Sequence, residues 1–178
     1  DVCGVCGGGA SSCSIDLSIG EVGDGSMEII MNNTIPILGF QFNVSGTELS
    51  SASGGRAADA GFEVSTGVEG MVLGFSFAGS EIPAGQGVLT NLSYTAIADE
   101  ACIANEILAL GEWAGGFYEI NIGGCVALDY CPDVDADGIC DTEDDCVGAY
   151  DECGVCNGDG SSCQETSVDI LYDSDEDI

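Results

Sequence analysis

Between residues 40 and 95 the chain repeatedly alternates apolar with small or polar residues, and a period of two admits strands and little else. In "GFQFNVS", Phe40, Phe42 and Val44 alternate with Gln41, Asn43 and Ser45. In "LGFSFAG", Leu73, Phe75 and Phe77 alternate with small residues. In "VLTNLSYT", Val88, Thr90, Leu92 and Tyr94 share one face, while Leu89, Asn91, Ser93 and Thr95 share the other. Successive side chains of a strand point to opposite faces, so one apolar face means a half-buried strand. Further strands are expected at 15–19, 27–31, 62–65, 106–110 and 117–122. Turn signals such as "GDG", "SGG", "IPAGQG" and "WAGG" separate them. "GGRAADAG" is expected to hold a brief helical turn. Short strands at this spacing predict an all-β sandwich, and 45% hydrophobic residues supply its core.

From Tyr130 onward the periodicity ends, and Asp, Gly and Cys take over. A segment with so few large apolar side chains cannot be held by a core, so it needs disulfides, metal or both. The chain has 11 cysteines and no histidine. Short, Gly-rich spacings without histidine favour disulfides over zinc, and hence an oxidising compartment. Three Asn-X-Ser/Thr sequons, at Asn32, Asn43 and Asn91, point the same way, to a secreted protein able to carry N-linked glycan. The chain starts without a signal peptide or initiator Met, as expected of a mature or excised segment. No apolar run approaches the roughly 20 residues of a membrane helix.

Charge narrows the partners. Thirty-two acidic residues face a single basic one, Arg56, giving −31 at neutral pH. Such a field repels nucleic acid and anionic lipid and attracts metal cations. The acids cluster at regular spacing in "DVDADGICDTED", residues 133–144. Calcium takes six to eight oxygens, and alternating Asp supplies them from one side of a curling loop. Asp133, Asp135 and Asp137 stand at positions 1, 3 and 5, and Gly138 allows the sharp turn at 6. Ile139 offers its carbonyl at 7, Asp141 stands at 9 and Asp144 at 12. A calcium ion is the expected cofactor. The flanking "CPD" and "DCVGAYDECG" are not helical, which sets this loop apart from an EF-hand.

The stretch from Asp133 to Cys146 resembles the thrombospondin type 3 calcium repeat, in which the loop wraps calcium without helices and disulfides tie successive repeats. Asp145 is an extra residue before the cysteine. "DECGVCNGDGSSC", residues 151–163, repeats "DVCGVCGGGASSC", residues 1–13, at nine of thirteen positions. Both resemble the "CGVCGGD" segments of secreted matrix proteins and large microbial and algal surface proteins. The stretches "MEIIMNNTIPILGFQFNVSG" and "VLGFSFAGSEIPAGQGVLTNLSYTA" resemble the cohesin-like family. That resemblance covers roughly residues 14–128 and implies a nine-stranded jelly-roll β-sandwich flanked by small disulfide- and calcium-stabilised irregular modules. Cohesins bind dockerins through a sheet face, but no residue here transfers that role.

Pairing cysteines by proximity gives Cys6–Cys13, Cys102–Cys125, Cys131–Cys140, Cys146–Cys153 and Cys156–Cys163. This leaves Cys3 for a disulfide to another unit. The tail "SVDILYDSDEDI" shares the apolar pattern of "SMEIIMNNTIPI", so Val168, Ile170 and Tyr172 are expected to pair as a strand with the next unit. The expected organisation is a knob at 1–13, a sandwich at 14–128, a calcium loop at 129–150, a second knob at 151–163 and an inter-unit strand at 164–178. Catalysis is not expected: without His or Lys there is no Ser-His-Asp or Cys-His arrangement. Glu112 is the one acid set beside the chain's single tryptophan, Trp113. Two functions remain. One is an extracellular structural protein whose copies assemble head to tail into a filament. The other is a cell-surface module capturing a protein or carbohydrate.

Overall fold

The computed structural model describes residues 13–110 and 118–163. The chain divides into two units, one ending at Tyr130 and the other beginning at Cys131. The first is built from strands β1 (Cys13–Gly23), β2 (Ser26–Asn33), β3 (Ile37–Val44), β4 (Thr47–Ser53), β5 (Glu63–Thr66), β6 (Met71–Phe75), β7 (Gly85–Ala96), β8 (Glu100–Ala101), β9 (Ile103–Leu110), β10 (Tyr118–Ile122) and β11 (Val126–Ala127). One helical turn, α1 (Gly55–Asp59), falls in "GGRAADAG".

Nine of these strands form two sheets, ordered β10-β1-β2-β7-β4 and β5-β6-β3-β9, while β8 and β11 make a small ladder of their own. The pair β1–β10 is parallel and the other ladders are antiparallel. This is the all-β sandwich that the alternation requires, with the strand number the cohesin-like resemblance implied. Its core interleaves Ile15, Leu17, Ile29, Met31 and Leu92 of one sheet with Ile37, Phe42, Val44 and Val72 of the other. Each such side chain, moved from water into the core, contributes about 1.5–3 kcal/mol.

Three local results differ from the simple alternation. In β7, Leu89 and Thr90 are both fully buried. Ile29 pairs with Thr90 and Ile30 with Val88, so Leu89 is the extra residue of a β-bulge, which turns it from the outer face into the core. In β6 the faces are exchanged. Val72 and Gly74 point inward, Leu73 and Phe75 are half-buried, and Phe77 beyond the strand is 84% exposed. The cause is Phe40 on the neighbouring strand, whose ring lies so close to Gly74 that a Cβ there would meet it at 2.1 Å. A large ring on β3 and a large residue at position 74 cannot share one layer, so glycine takes the inner place. Strand β4, "TELSSAS", shows no apolar alternation; it is held by its ladder to β7 at the sheet edge.

The turn α1 carries Arg56. Its guanidinium donates to the carbonyls of Met31 (3.2 Å), Gly85 (3.1 Å) and Pro83 (2.5 Å). Burial pulls its pKa below the ordinary arginine value. The single cation of the chain is thus a brace between α1 and the mouth of β7.

Candidate metal loop and interaction face

In the second unit the chain curls tightly after Pro132. Ala136 and Gly138 adopt left-handed backbone angles, φ 59° and 92°, which bend the loop enough for alternate carboxylates to converge. Asp133, Asp135 and Asp137 do converge: each offers an oxygen within 4.8 Å of the others. The loop is fastened by its own carboxylates. Asp133 accepts from the amides of Asp137 (3.2 Å) and Gly138 (2.9 Å), and Asp137 from that of Ile139 (2.8 Å). Asp135 Oδ2 accepts from Gly148 N at 2.6 Å, tying the loop to the segment after Cys146.

This acidic triad can hold a metal ion. Its donors are all carboxylate oxygens, the hard ligands that calcium prefers. Asp135 Oδ1 is buried without a hydrogen bond, as is Asp144 Oδ2. A buried carboxylate oxygen with no partner is costly, and a cation is the natural neighbour for it. The other expected ligands are not part of that grouping. Asp141 Oδ1 accepts from Val134 N at 3.0 Å, and Asp144 Oδ1 from Cys146 N at 2.7 Å. Ile139 is 46% exposed. A second grouping, Glu100 with Cys102 and Cys125, is no metal site, because the two sulfurs are bonded to each other.

Four disulfides are described. Cys102 pairs with Cys125 and Cys131 with Cys140. The last four cysteines interlace: Cys146 pairs with Cys156 and Cys153 with Cys163. This corrects the proximity pairing Cys146–Cys153 and Cys156–Cys163. The reason lies in Asp151. Its Oδ1 accepts from the amides of Cys153 (2.9 Å) and Val155 (2.8 Å), and its Oδ2 from Gly160 (3.0 Å). That carboxylate winds 151–160 around itself. Cys153 is thereby brought to Cys163, while Cys156 is left facing Cys146. Cys13 is also disulfide-bonded. Four disulfides in so small a chain are the chemistry of an oxidising compartment. No helix among the described residues is long and apolar enough to cross a membrane.

The sequon asparagines lie on strands. Asn91 is exposed, and Asn32 and Asn43 are half-buried. Their amides donate to Asp16 Oδ2 (Asn32, 3.0 Å), the Glu69 carbonyl (Asn43, 2.9 Å) and the Ser53 carbonyl (Asn91, 3.3 Å). Cys3, Cys6, Glu112, Trp113, Val168, Ile170 and Tyr172 lie outside the described residues.

A feature the alternation did not reveal is the outer face of the four-stranded sheet. Register places Leu73, Gln41 and Ile107 side by side across β6, β3 and β9, with Phe75 beside Gly39 in the next row. Ile107 is 62% exposed. The Phe75 and Phe77 rings meet edge to face, with centroids 4.8 Å apart. Met71, Leu73, Phe75, Phe77 and Ile107 are therefore the apolar residues of an outer surface they share with Gln41, Asn43, Glu63 and Ser65. The signal for it was the competition between two aromatic runs, around Phe40 and around Phe75, for the same core.

No protein-family model matches this chain, and no curated protein matches it. Solved structures do. One is a cohesin described as non-cellulosomal, from the hyperthermophilic archaeon Archaeoglobus fulgidus, with TM-score 0.47 and 10% identity, covering 66% of this chain and 91% of that one. Another is a crystal structure of a CaDoc0917–CaCohA2 complex, with TM-score 0.43 and 15% identity, covering 64% of this chain and 99% of that one.

Proposed function

We propose that this chain is an extracellular, non-catalytic binding module: a β-sandwich that presents an apolar sheet face to a protein partner, joined to a calcium-binding, disulfide-laced spacer. The observation that carries the reading is the outward-facing group of Leu73, Phe75, Phe77 and Ile107 around Gln41. Exposed apolar clusters rimmed by polar residues mark interaction sites. Aromatic residues at the centre of a patch supply most of the binding energy in protein interfaces. The test places a photo-crosslinking residue at Ile107 and, in a control, at Glu28 on the other sheet. Each protein is exposed to the extracellular fraction of its source. A discrete protein adduct from position 107 alone supports the reading. Equal labelling from both positions, or none, sinks it.

In the spacer, Asp133, Asp135 and Asp137 would hold calcium, with Asp141, Asp144 and the Ile139 carbonyl completing the oxygen shell as the loop closes. The ion would supply charge neutralisation and rigidity. Asp135→Asn is expected to weaken calcium binding by at least about tenfold, since affinity in such loops follows the count of charged ligands. Calorimetry reads this directly, and unchanged affinity would remove Asp135 from the site.

A second reading is head-to-tail assembly of copies into a filament. It is favoured by the repeat of the 151–163 sequence at 1–13. In the second copy Cys156, not Cys153, reaches back to Cys146. Transferred by sequence equivalence, this gives the bond to a neighbouring unit to Cys6 in place of Cys3. Negative-stain microscopy in calcium and after excess EGTA discriminates. Filaments that soften in EGTA support calcium-stiffened assembly, and single particles in both conditions exclude assembly.

A further inference from the structure

At one end of the sandwich a groove of about 500 Å³ opens where the start of β4, the 3-10 turn at Val68–Gly70 and the exit of β7 meet. Its size is that of ordinary ligand pockets. Leu49, Val68 and Ile97 give it apolar walls, and Glu48 and Glu69 line it as well. Val68 is 84% exposed and Ile97 55%.

The groove is shaped by fixed backbone. Glu69 holds a left-handed conformation at φ 57°, uncommon for a residue with a side chain. Its carbonyl is fastened by the Asn43 amide at 2.9 Å. Gly70 follows at φ 70°, pressed so close to Val44 that a Cβ would meet the Val44 carbonyl at 2.0 Å. The turn therefore cannot relax inward, and Val68 and Glu69 stay presented to solvent. Asn43 sits on the outer face of β3, opposite Met71, so the groove adjoins the apolar sheet face.

Charge decides what fits. Apolar walls with two carboxylates ask for a cation beside an aliphatic group, and this chain cannot supply one. Its one basic residue, Arg56, is spent on three carbonyls, and two copies at −31 repel each other.

We propose that this groove receives a lysine or arginine, flanked by an aliphatic residue, from a foreign protein. The inference rests on the reading of the sandwich as a protein-binding module and adds that its partner is basic and heterologous. The basic side chain lies between Glu48 and Glu69, and its aliphatic neighbour packs on Val68 and Ile97.

The test titrates the full isotope-labelled chain, in calcium and physiological salt, with acetyl-Leu-Lys-Leu-amide and acetyl-Leu-Glu-Leu-amide, following backbone amide signals. Saturable shifts at Glu48, Val68, Glu69 and Ile97 with the lysine peptide alone are expected. Glu69→Gln should weaken that binding about two- to fivefold, the range for one exposed ion pair. Val68→Ser, at an exposed position, should weaken it without unfolding the chain. Shifts spread over the acidic surface would mean unspecific attraction and overturn the proposal. So would equal response to the glutamate peptide, no response, or groove shifts that grow with protein concentration alone, which would mark self-contact. Shifts at Leu73 and Ile107 are read in the same spectra. Response there without response in the groove overturns the groove alone, and the crosslinking experiment judges the sheet face separately.

Discussion

Asp151 gathers three backbone amides of the second unit around one carboxylate. Its three accepted amide bonds hold its carboxyl below the ordinary carboxylate range, the amide of Val155 contributing most. A folded-state pKa below the unfolded one means stabilisation that is present above the ordinary Asp value and lost as pH falls through the lowered one. The 151–163 wrap should therefore loosen as pH falls from above the ordinary Asp value through the lowered one. Reduction of Cys153–Cys163 by a phosphine, corrected for the reagent's own pH dependence, should accelerate across that window, and in Asp151→Asn it should be fast already at pH 7. A flat profile would show that the disulfides alone hold the wrap. The sequence disclosed which acids cluster but not this role, because an Asp that winds three amides reads the same as one that faces water. The interlaced cysteines were hidden for the same reason: proximity along the chain ranks Cys146–Cys153 first, whereas the Asp151 wrap decides the approach in space.

At the level of single elements, most strands were legible because period two survives in them. β1, β2, β3 and β9 lie where apolar alternation or β-branched runs placed them. The inversion of β6 was not legible: its alternation fits either face equally, and only the Phe40–Gly74 layer, a contact between strands, selects one. Gly74→Ala tests that account. Its Cβ would crowd Phe40 in a packed core, and overpacking of this kind typically costs about 1–3 kcal/mol. Urea unfolding should show that loss. A neutral result would mean Phe40 can move aside, so that glycine is not what fixes the face. β4 was invisible for the opposite reason, since its Glu and Ser residues carry no pattern and β7 recruits it through backbone hydrogen bonds. Of the metal loop, the triad Asp133, Asp135 and Asp137 could be read from spacing. The capture of Asp141 and Asp144 by the backbone amides of Val134 and Cys146 could not.

Over the whole molecule, thirty-one uncompensated negative charges oppose compaction. Raising salt from 0.01 to 0.15 M shortens the screening length from about 30 Å to about 8 Å, so the melting temperature should rise with sodium chloride even in EGTA. A melting temperature indifferent to salt would mean that the charges are already spaced beyond mutual reach. The same scarcity of cations has a consequence for survival outside a cell. Proteases of the trypsin type cut only after lysine or arginine, and here the sole such bond is Arg56–Ala57. Ala57 is fully buried and the Arg56 side chain is clasped by three carbonyls. The folded chain should pass through prolonged trypsin treatment uncut, and the denatured, reduced chain should yield only two fragments, 1–56 and 57–178. To that class of digestive enzyme the molecule offers one lock, with the keyhole turned inward.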